Sequence, residues 1–132
     1  MFSHVMLGTN DIDRAETFYN AVLGVLGAGT ANRNVANTGH VRLFWRHHGN
    51  VFCVSQPIND RPASAANGAT LGFACESAEQ VNALHDVAIK HGATPIEDAP
   101  GLRNSSTGAV YLAYFRDPDG NKICAVFRPE SA

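Results

Sequence analysis

The sequence lacks the features that mark several classes of protein. No apolar run approaches the roughly 20 residues that a membrane-spanning helix needs, so no span is predicted. The 10 Lys and Arg residues are outnumbered by 12 Asp and Glu, which leaves no basic surplus for nucleic acid. The N-terminus has neither the basic nor the apolar region of a secretory signal, so we expect a cytoplasmic protein.

Cysteine is scarce as well. Cys53, Cys75 and Cys124 are odd in number and show no CxxC spacing, a pattern typical of reduced thiols rather than of a disulfide framework. Apolar residues make up 45% of the 132 residues and charged residues 17%. This composition and length indicate one globular domain that folds without covalent staples.

A strand followed by a helix is predicted near the start of the chain. The short apolar segment 4–8 predicts the strand, and Asn10 and Asp11 supply a helix cap. Apolar residues then recur at steps of three and four, as on one face of a helix. We expect this helix to end at Gly24, since glycine commonly follows the last helical residue.

The same pattern returns in the second half. Residues 70–75 predict a strand, Ser77 and Gln80 form a capping box, and Gly92 ends the helix. The two strand segments begin 66 residues apart, half of the chain length of 132. We interpret this spacing as an internal duplication.

Further strands are predicted after each helix, at residues 41–46, 51–55, 94–97, 109–115 and 122–127. The segment 117–121, Asp-Pro-Asp-Gly-Asn, predicts a tight turn that joins the last two strands. The polar segment 101–108 has no periodicity, so it either covers a cleft mouth or forms an ordinary mobile loop.

Two stretches resemble one known family. HVMLGTNDIDRAETFYNAVLG and YFRDPDGNKI are similar to the opening and the ending of the vicinal oxygen chelate superfamily, which includes glyoxalase I, bleomycin resistance proteins and extradiol dioxygenases. The resemblance implies an α+β fold of two βαβββ modules, 1–58 and 69–132, with a connector at 56–68. The modules would close a half-open, barrel-like cleft that binds a small molecule. Members of the family often form homodimers.

The resemblance also implies where a divalent metal would bind. Glyoxalase-type members carry His or Glu at four cleft positions, and here these positions fall on His4, Cys53, Thr70 and Cys124. Only one of the four ligands is therefore retained. A site of hard oxygen and imidazole ligands needs the missing carboxylates.

Three interpretations of this set remain open. His4, Cys53 and Cys124 would suit a soft zinc site with an open fourth position. Alternatively, Cys53 or Cys124 is a catalytic nucleophile with His4 as its base. In the third interpretation, both cysteines are small apolar fillers of a cleft that has lost its metal.

Substrate-binding candidates come from the strands and the polar segment. We select Trp45 rather than Phe44 as a stacking wall, with core packing as the alternative. Tyr111 and Tyr114 are three residues apart on a predicted strand, so their side chains point to opposite faces and only one points into the cleft. We select Tyr111. Arg103 would clamp an anionic group on a substrate or lie on the surface. Thr70 completes the set.

The sequence thus predicts a divergent glyoxalase-like protein that binds a small organic molecule. It retains a lyase- or dioxygenase-like activity at a non-standard metal site, or has lost that site. The alternative is a metal-free protein that binds and sequesters a small molecule, as drug-resistance members of the family do.

Overall fold

The computed structural model describes residues 1–129, which form two four-stranded sheets and two helices. The first sheet contains β1 (Val5–Gly8), β2 (Asn32–Val35), β3 (Val41–His47) and β4 (Asn50–Ser55). The second contains β5 (Leu71–Ala74), β6 (Thr94–Ser105), β7 (Gly108–Arg116) and β8 (Lys122–Phe127). The helices are α1 (Ile12–Val25) and α2 (Ala78–Lys90). The last three residues of the predicted second module lie outside the described residues.

The two sheets have the same topology. Their strand orders are β1-β4-β3-β2 and β5-β8-β7-β6, and in each the first strand runs parallel to the last while the other pairs are antiparallel. The internal duplication and the α+β fold class predicted from the sequence are confirmed. No helix within residues 1–129 has the length and apolar character needed to span a bilayer.

The first helix starts as predicted but ends later. The Asp11 carboxylate caps it by accepting a hydrogen bond from the Arg14 backbone N–H at 3.0 Å. The helix runs through Gly24 to Val25, and Gly27, with φ of +90°, takes the left-handed position beyond its end. The expected end at Gly24 was wrong because Val25 and the next residue pack against the core, which favours continuing the last turn.

The second helix follows its sequence signals closely. Ser77 Oγ accepts a hydrogen bond from the Gln80 backbone N–H at 3.1 Å. The Gln80 side chain in turn accepts from the backbone N–H of Glu76, one residue before the cap. Gly92 has a φ of +103°, as expected of the residue that ends the helix.

The largest difference from the sequence prediction lies in β6. This strand continues to Ser105, past a bulge between Ile96 and Gly101, and pairs with β7. The interpretation of 101–108 as a loop was therefore wrong for 101–105. The bulge shifts the register, and the far end of the hairpin lies away from the core, so no hydrophobic alternation marks it.

Helices cover one face of each sheet. The two helices pack on each other, α1 on β3 and β4, and α2 on β6, β7 and β8. Strand residues that enter the core alternate along the sequence: Leu43, Trp45, Phe52 and Val54 in the first sheet, and Ala113, Phe115, Ile123 and Ala125 in the second. Side chains at the intervening positions point away from the helices. We call this surface of the first sheet the first open face, and that of the second sheet the second open face.

A buried carboxylate joins the two halves. Asp117, in the turn between β7 and β8, is 4% exposed and accepts a 2.6 Å hydrogen bond from the Tyr19 hydroxyl on α1. Asn121 donates its side-chain and backbone N–H groups to the same carboxylate. Next to it, Asp119 pairs with Arg14 and accepts from Thr9. The predicted turn therefore also docks the second sheet onto the first helix.

Tyr19→Phe should lower the free energy of unfolding by about 1–3 kcal/mol, because a buried carboxylate loses one of its donors. Urea unfolding followed by circular dichroism measures the change. Tyr111→Phe is the matched control, since its hydroxyl donates to Asn82 at the exposed surface. Equal losses in the two variants would contradict the role given to Tyr19.

The same contact predicts a loss of stability at alkaline pH. Burial, followed by the nearby Asp117 charge, raises the pKa of Tyr19 well above its usual value. The folded state thus holds a proton that the unfolded chain loses above about pH 10. The free energy of unfolding should fall more steeply above that pH in the wild type than in Tyr19→Phe. Parallel slopes would be inconsistent with this linkage.

Candidate functional site

The first open face carries a shallow cavity of about 340 Å³. Cys53 on β4 lies between Met6 on β1 and Phe44 on β3, its direct neighbours across the sheet. The lining residues are Ser3, His4, Met6, Arg42, Phe44, Arg46, Val51 and Cys53. None of them is an acid, so the charged side chains of this cavity are all basic.

Cys53 is fully buried beneath its neighbours on the first open face. Burial raises the pKa of its thiol, while the charges of Arg46 and Arg42 act in the opposite direction with less effect. The thiol is therefore protonated at neutral pH. A protonated, covered thiol is a poor nucleophile and a poor metal ligand, and it fills space as a small apolar group.

The two arginines of the first open face flank Phe44. The Arg42 guanidinium lies 5.5 Å from the centre of the Phe44 ring, and its Nε donates to Asn34 Oδ1 at 3.0 Å. Neither Arg42 nor Arg46 forms an ion pair with any of residues 1–129. At the cavity rim, His4 Nδ1 lies 2.9 Å from Ser3 Oγ. This face thus presents cationic groups around an aromatic ring.

The second open face carries a different cluster. Lys122 lies 4.6 Å from the centre of the Tyr114 ring and forms an ion pair with Glu97. Burial raises the pKa of Cys124 and also that of Tyr114. Glu97 has a φ of +59°, a strained backbone conformation for a residue with a side chain. This cluster pairs its charges internally.

A larger cavity, of about 920 Å³, lies between the edge strands β1 and β5. Its walls include Leu7, Phe52, Leu71 and Phe73, so it is mainly apolar. His4, Thr70 and Trp45 also reach it, with Gln80 and Glu76 among its polar groups. Cys53 and Cys124 do not line it.

Trp45 points toward α1 rather than onto the open face. It is 2% exposed, and its Nε1 donates to Asn20 Oδ1 at 3.0 Å. Its neighbour Phe44 occupies the open face instead, because adjacent side chains on a strand point to opposite sides. Core packing, the alternative considered for Trp45, therefore describes its position, although the residue also lines the larger cavity.

Tyr111 and Arg103 also have partners within the chain. The Tyr111 hydroxyl donates to Asn82 Oδ1 on α2 at 2.9 Å, whereas Tyr114 lies on the second open face. Arg103 donates to the backbone carbonyls of Asp98 and Ala99, and so bridges the bulge of β6. Both side chains have structural contacts that account for their positions.

The implied metal ligands are not gathered within one chain. His4 and Cys53 line the smaller cavity, His4 and Thr70 line the larger one, and Cys124 lines neither. Residues 1–129 contain no group of three or more His, Cys, Asp or Glu placed to hold a metal ion. The charges that influence the pKa of Cys53 come from arginines, whereas those that influence the pKa of Cys124 come from Glu97, Lys122 and Arg128. Thiols and a hydroxyl do not fit the hard metal ions that the resemblance implies.

A family model described as the Glyoxalase/Bleomycin resistance protein/Dioxygenase superfamily matches residues 1–125. The chain belongs to this superfamily. It is similar to the structure of a glyoxalase/bleomycin resistance protein from Albidiferax ferrireducens T118, with 48% identity, a TM-score of 0.90, and coverage of 97% of this chain and 99% of that one. A comparison with curated proteins found no significant match.

More distant superfamily structures share the fold. A glyoxylase/bleomycin resistance protein/dioxygenase domain from Frankia sp. EAN1pec is 19% identical, with a TM-score of 0.75 over 100% of this chain and 94% of that one. A glyoxalase-related enzyme from Fulvimarina pelagi is 18% identical, with a TM-score of 0.70 over 98% and 89% of the two chains. At these identities the likeness concerns the fold alone.

Sequence reasoning missed the arginines of the first open face in this superfamily member. The alternation along β3 carried the signal: once Trp45 is assigned to the core, Arg42, Phe44 and Arg46 must share the opposite face. Glu97 was also missed, because its contact with Lys122 depends on the bulge in β6.

The thiols should react slowly in the native protein. Burial raises the pKa of all three cysteines, that of Cys75 to about 11. At pH 7 we expect reaction with Ellman's reagent to be roughly a hundredfold slower than in denaturant, where three thiols should be titrated. A native thiol that reacts as fast as free cysteine, and is lost in Cys53→Ser or Cys124→Ser, would restore the nucleophile hypothesis.

Proposed function

We propose that this protein binds a small organic molecule on its open faces, without a metal-assisted reaction. The observation that carries the proposal is the first open face: no helix within residues 1–129 covers it, and its cavity combines an aromatic ring with cationic side chains. Ligand sites commonly combine apolar walls with a few directed polar groups. A cavity of about 340 Å³ is at the small end of the range for such sites.

We propose that a second copy of the chain completes this cleft. Supporting this, the cavity of the first open face is lined by residues from Ser3 to Cys53, and none of the described residues of the second half contributes to it. The edge strands β1 and β5 each pair on one side only, and an unpaired edge favours association with another chain. Phe2 and Met6, near this edge, are exposed apolar side chains. In the homodimer, module 1–58 of one subunit would face module 69–132 of the other.

The donor chemistry favours binding over metal-dependent lyase or dioxygenase chemistry. A zinc site across the dimer would need Cys53 and Cys124 to be accessible to a shared metal ion, but Cys124 is only 6% exposed. Cys53 is also covered by its neighbours. The protein therefore fits the metal-free, sequestering type of function better.

The proposal is tested by thermal shift with a library of small organic molecules, followed by calorimetry on the hits. A ligand of the first open face should raise the melting temperature by mass action. Phe44→Ala should weaken its binding by about fivefold to tenfold, because the aromatic contact is lost. Val35→Ala, an exposed position on β2, is the control and should leave the affinity unchanged.

Two further measurements can contradict the proposal. Light scattering should give a dimer, and a monomer that binds ligand with full affinity would exclude the shared cleft. Protein purified without chelator should contain less than about 0.1 equivalents of metal. Stoichiometric zinc that is lost in Cys53→Ser and in Cys124→Ser would instead establish the metal site predicted as one alternative from the sequence.

A further inference from the structure

We infer that the ligand of the first open face is an oxyanion attached to an apolar or aromatic body, with Arg42 and Arg46 holding the anion beside Phe44. This inference rests on the proposed function and names the class of molecule bound. Arg42, Phe44 and Arg46 alternate along β3 and so project from the same face. All three line the same cavity.

The backbone under these side chains is held on both sides. β3 is an inner strand, hydrogen-bonded to β2 and to β4. Trp45, between Phe44 and Arg46, anchors the strand in the core through its hydrogen bond to Asn20. The arginines therefore start from a rigid platform, which lowers the entropy lost when a ligand binds.

Asn34 orients the Arg42 guanidinium through a hydrogen bond to Nε alone. Asn34 lies directly opposite on β2 and accepts the hydrogen bond from Arg42 Nε. The terminal amino groups of Arg42 have no hydrogen-bond acceptor among residues 1–129. A guanidinium held in this way can donate two parallel hydrogen bonds to a carboxylate or phosphate.

The positive charge of this cavity favours an anionic ligand. The chain has a net charge of −2, yet none of the described residues that line this cavity is an acid. Elsewhere, Arg14 and Arg33 pair with carboxylates, and Arg103 binds backbone carbonyls. Arg42 and Arg46 lack such an acceptor within residues 1–129, apart from the asparagine on Arg42 Nε.

The apolar part of the cavity determines the rest of the ligand. Phe44, Met6 and Val51 surround the covered thiol of Cys53, and Met6 is 42% exposed. An aromatic or aliphatic body would bury these surfaces while its anionic group meets the arginines. Inorganic phosphate alone would leave them exposed, so a combined molecule should bind better.

Three probes of similar shape test the inference by calorimetry on the full-length protein: benzoate, phenylphosphonate and the neutral benzamide. We expect at least one of the two anions to bind at least about tenfold tighter than benzamide, because only the anions accept charge-assisted hydrogen bonds. Which anion binds more tightly distinguishes a carboxylate from a phosphate-type head. Raising the salt concentration should lower the affinity for the two anions and leave the affinity for benzamide unchanged.

Arg42→Gln and Arg46→Gln should each lower the affinity for the more tightly bound anion by roughly tenfold. Arg61→Gln is the matched control, since it removes one positive charge from an exposed position in the connector. It should change the affinity less than about twofold. Because the comparison of anions with benzamide uses the wild type, it remains decisive if a variant fails to fold.

Three results would overturn the inference. The first is benzamide binding as tightly as both anions, the second is Arg61→Gln weakening anion binding as much as Arg42→Gln, and the third is neither anion binding the wild type at about 10 mM. The proposed function is judged separately: library ligands whose binding requires Phe44 but neither arginine would leave it standing while removing the anion assignment.

Discussion

Because side chains alternate across a β-strand and helices pack on only one face of each sheet, every strand residue has one of two environments. Leu43 and Trp45 are buried against α1, while Arg42, Phe44 and Arg46 face away from it. This constraint places the groups able to contact a ligand on surfaces that the core does not need. It also explains why Cys53 is buried without belonging to the core cluster: residues on its own face cover it.

Polar contacts within an apolar interior help to fix the relative placement of the two sheets. The carboxylate of Asp117 receives donors from Tyr19 and Asn121, so a charged group is buried with its hydrogen bonds satisfied. Asp119 adds contacts to Thr9 and to the start of α1. These groups hold the hairpin turn of the second half against the first helix, where apolar packing alone would allow sliding.

Cys53, one of the implied metal-ligand positions, lies in the same cavity as the two arginines of the first open face. Since the thiol of Cys53 is protonated, the charge of this face comes from the arginines on the neighbouring strand. This face has no acid among the described residues that line its cavity, so nothing there favours a cation. It presents instead a surface suited to a negatively charged molecule.

The sequence by itself determined the duplication, the caps of both helices, the tight turn at 117–121 and the superfamily, because each is recognised from short stretches of neighbouring residues. Only the tertiary structure decided whether Phe44 or Trp45, and whether Tyr111 or Tyr114, points away from the helices. Alternation along a strand assigns side chains to two opposite faces, and the position of the helices determines which face is buried. The tertiary structure also decided the length of β6, where a bulge interrupts the periodicity. The arginine pair beside Phe44 emerges only from this choice of face, since nothing local distinguishes these arginines from surface residues.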